Sequence, residues 1–140
     1  DPRGWSVSVV YFALVSADII ESVKSPLINL MRVDVIKDLP FDHEKIIQSA
    51  VNRIRSKAFY SSLPCFLAGS IFTLPYLQTV YETCLGEALN KASFRKKMTE
   101  MAILEEVSGE MARTGAHRPS KQYRLTDAAK KELAFWQRGL

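Results

Sequence analysis

The stretch FTLPYLQTVYETCLGEALNKASFRKKM, residues 72–98, carries the signals of two helices joined by a short turn. Thr73 is a typical N-cap residue for a first helix, and Gly86 is the residue type favoured directly after a helix end. Asn90 is an N-cap residue for a second helix, only a few residues later. Two helices connected this tightly are typical of a helix-turn-helix. The residues expected to face inward from the first helix are Leu77, Val80, Tyr81, Cys84 and Leu85.

The second predicted helix presents positive charge on the side opposite its apolar residues. Phe94, Met98 and Met101 recur at helical spacing and are expected in the core. In a helix-turn-helix the second helix lies in the major groove, where Arg or Lys bonds guanine edges and short residues contact thymine methyl groups. The residues predicted to bind DNA from this helix are Lys91, Ser93, Arg95, Lys96, Lys97 and Thr99. We assign Arg95 and Lys96 to base edges, and Lys91 and Lys97 to phosphates.

A simpler interpretation of the same helix is a solvated charged face, since most charge runs on helices only contact water. The residues that follow favour the DNA interpretation. Residues 102–126 alternate between apolar and polar types on either side of a loop rich in turn formers, which predicts a β-hairpin, the wing of a winged helix. The loop is basic, with Arg113, His117 and Arg118. We predict that Arg118 at the wing tip, together with Lys121 and Arg124 on the returning strand, binds DNA phosphates or the minor groove.

The remaining sequence predicts a second, N-terminal part. Its predicted elements are strands over Trp5–Val15 and Leu27–Val35, followed by a helix that begins at Asp42 and ends near Phe59. The segment Ser61–Ser70 holds a proline, a glycine and three serines, so we expect the domain boundary there, with domains at 1–62 and 63–140. A last helix, capped at Thr126 or Asp127, is expected to carry Ala128, Leu133, Phe135 and Trp136 to the end of the sequence.

Composition and charge are compatible with a small folded protein that binds an anionic partner. The 140 residues carry a formal net charge of +4, and residues 91–124 hold eight basic and four acidic side chains, so the excess lies around the predicted helix and wing. The longest apolar run, Val9–Val15, is too short to span a bilayer, and no charged leader precedes it. We therefore expect no membrane segment or signal peptide. A cytoplasmic location is expected for a different reason, because the two cysteines lack the spacing of a disulfide framework and fit a reducing compartment.

Other candidate groups have structural explanations that we prefer. Cys65 and Cys84 lack the spacing of metal ligands or of a disulfide framework, which favours core thiols. His43 has no nucleophile near it in sequence and is expected to serve in the first turn of a helix. The acidic residues Asp34, Asp38, Asp42 and Glu44 do not match a calcium loop and are expected to be solvated. Tyr11 and Phe12 are candidates for stacking on an adenine, although core packing is favoured for at least one of them, since strand neighbours point to opposite faces. Trp136 is expected to dock the last helix or to form a dimer contact.

The sequence resembles a known family over nearly its whole length. The segments LPCFLAGSIFTLPYLQTVYETCLG (63–86), LNKASFRKKM (89–98) and HRPSKQYRL (117–125) resemble the C-terminal winged helix of the NrtR type of Nudix-related (MutT/Nudix) regulators of NAD metabolism. The upstream segments DPRGWSVSVVYFALVSAD (1–18) and LPFDHEKII (39–47) resemble the Nudix-like part of those regulators. The resemblance implies an α+β fold class, with the C-terminal part of a Nudix-like α/β domain followed by a winged helix-turn-helix domain.

The same resemblance implies a function in transcription regulation. It implies a homodimeric repressor of NAD-related genes that binds double-stranded DNA at a palindromic operator and senses ADP-ribose or a related nucleotide effector through its Nudix-like domain. We do not find the Nudix box in these 140 residues, and LEEVSG (104–109) is a coincidental lookalike. We therefore expect no catalytic residues, no metal and no cofactor in this chain. We also expect residues 1 to about 60 to be completed by a missing piece, a partner chain or a dimer contact.

Two other functions stay open from the sequence. One is a Nudix hydrolase acting on a nucleoside diphosphate derivative with an appended winged helix, which would need a magnesium-binding glutamate cluster. The other is a protein-interaction module, which Glu105, Glu106 and Glu110 near the wing favour modestly.

Overall fold

A computed structural model of the chain describes residues 4–5, 7–15, 19–20, 23, 25–112, 120–136 and 140. Its contacts divide the chain into two compact units, Asp1–Val51 and Asn52–Leu140. The division falls earlier than the predicted boundary between 62 and 63, because the segment that follows Tyr60 is buried within the second unit. Ser61, Ser62 and Cys65 are each inaccessible to solvent there. The assignment of domains at 1–62 and 63–140 stays a prediction.

In the first unit, the two strands predicted over Trp5–Val15 and Leu27–Val35 are wrong for the residues that the structure describes. Those residues form no strand, and the regular element in the second stretch is a 3-10 helix at Val33–Val35. A strand exists only when its backbone is hydrogen-bonded to a neighbouring strand, and apolar alternation specifies a buried face without supplying that neighbour. The apolar side chains are accordingly open to solvent, with Tyr11 at 88% exposure.

Helix α1 spans His43–Tyr60 and confirms the helix predicted to begin at Asp42 and to end near Phe59. The helix begins directly after Asp42, whose backbone carbonyl accepts a hydrogen bond from the backbone N–H of Ile46 at 3.0 Å. A short 3-10 helix, Leu63–Leu67, follows it and buries Pro64 and Cys65. Among the described residues, no helix combines the length and the apolar content needed to cross a membrane.

The two helices of the predicted helix-turn-helix are both present. Helix α2 spans Leu74–Leu85 and helix α3 spans Lys91–Glu100. The Thr73 hydroxyl accepts the Tyr76 N–H, and the Asn90 side-chain oxygen accepts the N–H groups of Ala92 and Ser93, so both predicted N-caps are confirmed. Gly86 ends α2 in the left-handed conformation, with φ of 79°, as the sequence predicted.

The predicted wing is also present. Strand β2 spans Leu104–Ala112 and strand β3 spans Ser120–Leu125; they pair antiparallel with Leu104 opposite Leu125, and a register irregularity lies between Glu106 and Met111. A third strand, β1 at Phe72–Thr73, pairs with the other edge of β3, so the sheet order is β1-β3-β2. Strand β1 was not predicted, because its two residues are too few to show any alternation.

The core of the second unit lies between the helix-turn-helix and this sheet. Leu77 and Tyr81 of α2 and Phe94 and Met98 of α3 are nearly inaccessible to solvent, and Leu125 joins them from β3. The rings of Tyr81 and Phe94 meet edge to face, with centroids 5.3 Å apart. The predicted inward positions of both helices are therefore confirmed, although Val80, Cys84 and Met101 are only half-buried.

The last helix is much shorter than predicted. Helix α4 begins after the Thr126 cap, spans Asp127–Lys131 and buries Ala129, whereas the predicted Ala128 is exposed. The chain then becomes extended, and its backbone pairs with the segment that follows α1: Ser62 and Ala134 share a 2.9 Å hydrogen bond, and the Trp136 N–H donates to the Tyr60 carbonyl at 3.0 Å. This distant pairing competes with the helix, and local sequence does not reveal it.

The two cysteines are free thiols, as predicted. Burial raises the pKa of Cys65 to about 11, and its sulfur lies 3.4 Å from the Tyr81 hydroxyl, which donates to the Ser61 carbonyl at 3.3 Å. Burial also raises the pKa of the half-buried Cys84. Because the thiolate is the reactive form, both environments oppose reactivity.

Replacing Gly86 tests how much its left-handed conformation contributes to stability. We expect Gly86→Ala to lower the free energy of unfolding by about 1 kcal/mol, because a Cβ disfavours this backbone region. Its new Cβ would lie 3.1 Å from a guanidinium nitrogen of Arg55, a side chain that can move aside. Gly69→Ala is the matched control, since Gly69 has a similar φ of 86° and open space around it.

Chemical denaturation of the full chain measures both variants. Similar losses would show that the backbone conformation dominates the cost at Gly86. A much larger loss for Gly86→Ala would contradict this expectation and would assign the cost to the contact with Arg55.

Candidate nucleic-acid interface

The exposed face of α3 follows directly from which of its residues are buried. Phe94 and Met98 lie in the core, so the intervening Arg95 and Lys96 point to solvent, as do Lys91 and Thr99. Lys96 makes only a loose ion pair with Glu100, at 3.8 Å. Helix α3 thus presents a basic surface to solvent, and the packing of its apolar side against the core fixes the orientation of that surface.

The turn between α2 and α3 is fastened by two polar side chains of α2. The Glu82 carboxylate accepts the backbone N–H of Leu89 at 2.9 Å, and the Gln78 amide donates both to that carboxylate and to the Leu89 carbonyl. The hydrogen bonds from Leu89 and Gln78 lower the pKa of Glu82. The start of α3 is therefore fixed relative to α2. This role was not predicted from the sequence, where the four-residue spacing of Gln78 and Glu82 on the helix was the available signal.

Helix α3 and the wing share a surface recess of about 210 Å³. Its charged lining comes from two elements: Arg95 from α3 and Lys121 from β3. Ser120 and Tyr123 of β3 also line it, and the first residues of α2 form the apolar remainder of the lining, namely Leu74 and Pro75. The structure therefore brings together two of the predicted DNA-binding residues that lie far apart in sequence.

Lys121 and Arg124 do not lie on the same face of the wing. Side chains alternate across a strand, so Lys121 and Tyr123 share the face that carries the buried Leu125, and Arg124 projects from the other. Each cation also has an acidic partner on β2. The Lys121 ammonium lies 2.8 Å from the Glu106 carboxylate, which raises the pKa of the lysine, and the Arg124 guanidinium lies 2.5 Å from Glu105. Neither ion pair was predicted, since in the sequence these glutamates favoured only a protein-binding function.

Lys97 differs from the other lysines of α3. It is half-buried, and its ammonium lies 5.9 Å from the centroid of the Trp136 ring. The indole N–H of Trp136 donates to the Phe59 carbonyl at 2.9 Å, so Trp136 docks the C-terminal segment, as expected, but from an extended backbone. Lys97 therefore lies at the edge of the basic surface and contacts the protein as well as solvent.

Arg113, His117 and Arg118 of the wing loop lie outside the described residues. His43 is exposed, and its ring meets that of Phe41 edge to face at 6.2 Å. Asp34 is paired with Arg32 at 2.6 Å, and no cluster of three metal-ligating side chains exists in the part of the chain that the structure describes. Tyr11 and Phe12 are exposed, which contradicts the preference for core packing.

Comparison with known proteins agrees with this geometry. The sequence profile of the NrtR DNA-binding winged helix domain matches residues 64–125, which span β1, both helices of the helix-turn-helix and the wing. These residues form an NrtR-type winged helix domain. The resemblance to NrtR-type regulators found in the sequence is thereby confirmed, as is the α+β fold class with a winged helix.

Two further comparisons extend beyond the NrtR-type winged helix. The chain is 39% identical over 130 residues to the "ADPR responsive transcriptional repressor NtrR" of Acinetobacter baylyi, covering 89% of this chain and 51% of that protein. It also matches crystal structures of Shewanella oneidensis NrtR, one complexed with a 27mer DNA (TM-score 0.78, 35% identity) and one described without DNA (TM-score 0.73, 38% identity). Both matches cover all of this chain and 64% of the other, so the chain spans about half to two thirds of these relatives.

The Glu82 hydrogen bonds predict a specific response to acid. The folded state lowers the pKa of Glu82 below its ordinary value of 4.5. The stabilisation from the ionised carboxylate is therefore present above pH 4.5 and is lost as the pH falls through the lower pKa of the folded state. We expect wild-type protein to lose more stability than Glu82→Gln on acidification below about pH 4.5. Thermal unfolding across pH measures the difference.

Glu87→Gln is the control, because it removes an exposed carboxylate from the same turn. It should follow the acid response of the wild type. Parallel curves for the wild type and Glu82→Gln would show that the Glu82 carboxylate does not hold the turn.

Proposed function

We propose that this chain is the DNA-binding part of a transcriptional repressor that responds to ADP-ribose or a related nucleotide. One observation carries the proposal: the unit that matches the NrtR DNA-binding winged helix domain presents the basic surface of α3 beside a basic recess of the wing. The similarity to a crystallised NrtR–DNA complex supports double-stranded DNA as the partner.

Within this interface the residues divide by expected role. Arg95 and Lys96 are proposed for base edges, with Ser93 and Thr99 beside them, because they lie on the exposed side of α3. Phosphate contacts are proposed for Lys91, Lys97, Lys121 and Arg124, and for Arg118 of the predicted wing loop. Arg124 reaches the DNA from the opposite face of the hairpin to Lys121, so in this proposal the wing contacts the backbone on two sides.

Regulation is proposed for the longer protein. We propose a homodimer that places two α3 helices on the half-sites of a palindromic operator near NAD-related genes, about one DNA turn apart. A nucleotide bound by the Nudix-like part would change the spacing of the two helices and so the affinity for DNA. The name of the Acinetobacter relative supports an ADP-ribose effector. Within this proposal the protein acts in the cytoplasm without catalysing a reaction.

DNA binding by the chain is tested by selection from a random duplex library, followed by affinity measurements on the selected duplex at several salt concentrations. We expect Lys96→Ala to weaken binding to that duplex by roughly 1–3 kcal/mol and to relax the preference at one base position. Lys91→Ala should weaken binding to all duplexes similarly and reduce the salt slope by about 1.

Lys130→Ala is the matched control, because it removes an exposed lysine of α4 that pairs with Asp127 and is not part of the proposed interface. It should leave base preference unchanged. Failure of the wild-type chain to select any sequence or to bind DNA with salt dependence would contradict the proposed function. Unchanged preference in Lys96→Ala would contradict only its base contact.

A further inference from the structure

The recess between α3 and the wing has the chemistry of a site for one phosphate. Lys121 brings its ammonium to the opening, and Arg95 of α3, proposed above for a base edge, adds positive charge to the same opening from a second element. Ser120 and Tyr123 also line the recess. The recess is open to solvent and lies on the face of the wing that carries the rest of the winged helix core. A backbone phosphate of bound DNA is therefore the anion that fits the proposed function, on which this inference rests.

Lys121 is already held by a carboxylate of the protein. Its ammonium lies 2.8 Å from Glu106, a shorter contact than the 3.8 Å pair of Lys96 and Glu100 on α3. Glu106 faces Tyr123 across the hairpin, which places it diagonally from Lys121 on the same face of the wing. Both side chains are about half exposed, so another anion can replace Glu106 beside Lys121 at a modest cost in free energy.

We propose that Glu106 is an internal competitor of DNA, and that a backbone phosphate seated in the recess takes its place on Lys121. Two effects make it a competitor. It occupies the ammonium that the phosphate needs, and its negative charge repels a phosphate bound beside it. The carboxylate thus limits the affinity of the wing for DNA of any sequence while keeping the lysine side chain at the recess.

Glu106→Gln tests the proposal, because glutamine has a similar shape without the charge. On the duplex obtained by selection, we expect this variant of the full chain to bind about two- to fivefold more tightly near 0.1 M salt, the range for losing competition from an exposed ion pair. The gain should shrink as salt is added, since both the ion pair and the phosphate contact are screened. Base preference should not change, because phosphates carry no sequence information.

Two comparisons separate competition from a general effect of charge. Glu132→Gln makes the same change of net charge at an exposed position after α4, outside the recess lining, and should give a smaller gain. Lys121→Gln should reduce the salt slope by about 1, and adding Glu106→Gln to it should give no gain beyond that of Glu132→Gln, because the contested cation is gone.

Each outcome decides between the two proposals. Tighter binding by Glu106→Gln that exceeds the control and disappears in the Lys121→Gln background supports the competitor. No gain, an equal gain in Glu132→Gln, or a gain that persists without Lys121 overturns it and leaves the DNA-binding function in place. Absence of DNA binding by the wild-type chain overturns the proposed function and the phosphate site with it.

Discussion

The packing of Phe94 and Met98 into the core that α2 also lines is the constraint on which the rest of the winged helix depends. Both side chains are almost completely buried, and the edge-to-face contact of Phe94 with Tyr81 ties α3 to the centre of the core. Burial of one side of a helix fixes its rotation, so the opposite side, with Arg95 and Lys96, has to face outward. Apolar contacts in the core therefore determine which charged side chains of α3 face solvent, although no charged group takes part in those contacts.

Local signals were sufficient where backbone capping determines the structure. Thr73 and Asn90 each cap the start of a helix and Gly86 ends one, in each case through groups within a few residues. The structure confirms the prediction at all three positions. The hairpin was predictable for the same reason, since alternation and turn formers are local. At the candidate site, the outward direction of Arg95 and Lys96 was predictable from the helical period alone.

Distant partners account for what the sequence analysis did not find. The strands expected in the first unit need hydrogen-bonded neighbours, and the described residues supply none. The helix expected at the C-terminus loses to backbone pairing of Ala134 and Trp136 with residues around Ser62, more than seventy positions away. The ion pairs of the wing depend on the register between β2 and β3, which fixes which glutamate meets which cation and which face each pair occupies.

Trp136 connects two helices that share no sequence neighbourhood. Its indole N–H holds the carbonyl of Phe59 near the end of α1, and its ring lies beside the ammonium of Lys97 on α3. One rigid, planar side chain thus spans the end of one helix and the flank of the other. A rotation of the end of α1 would displace Trp136, whose ring also contacts Lys97 of α3. The two helices are therefore less free to move independently than their separation along the sequence implies.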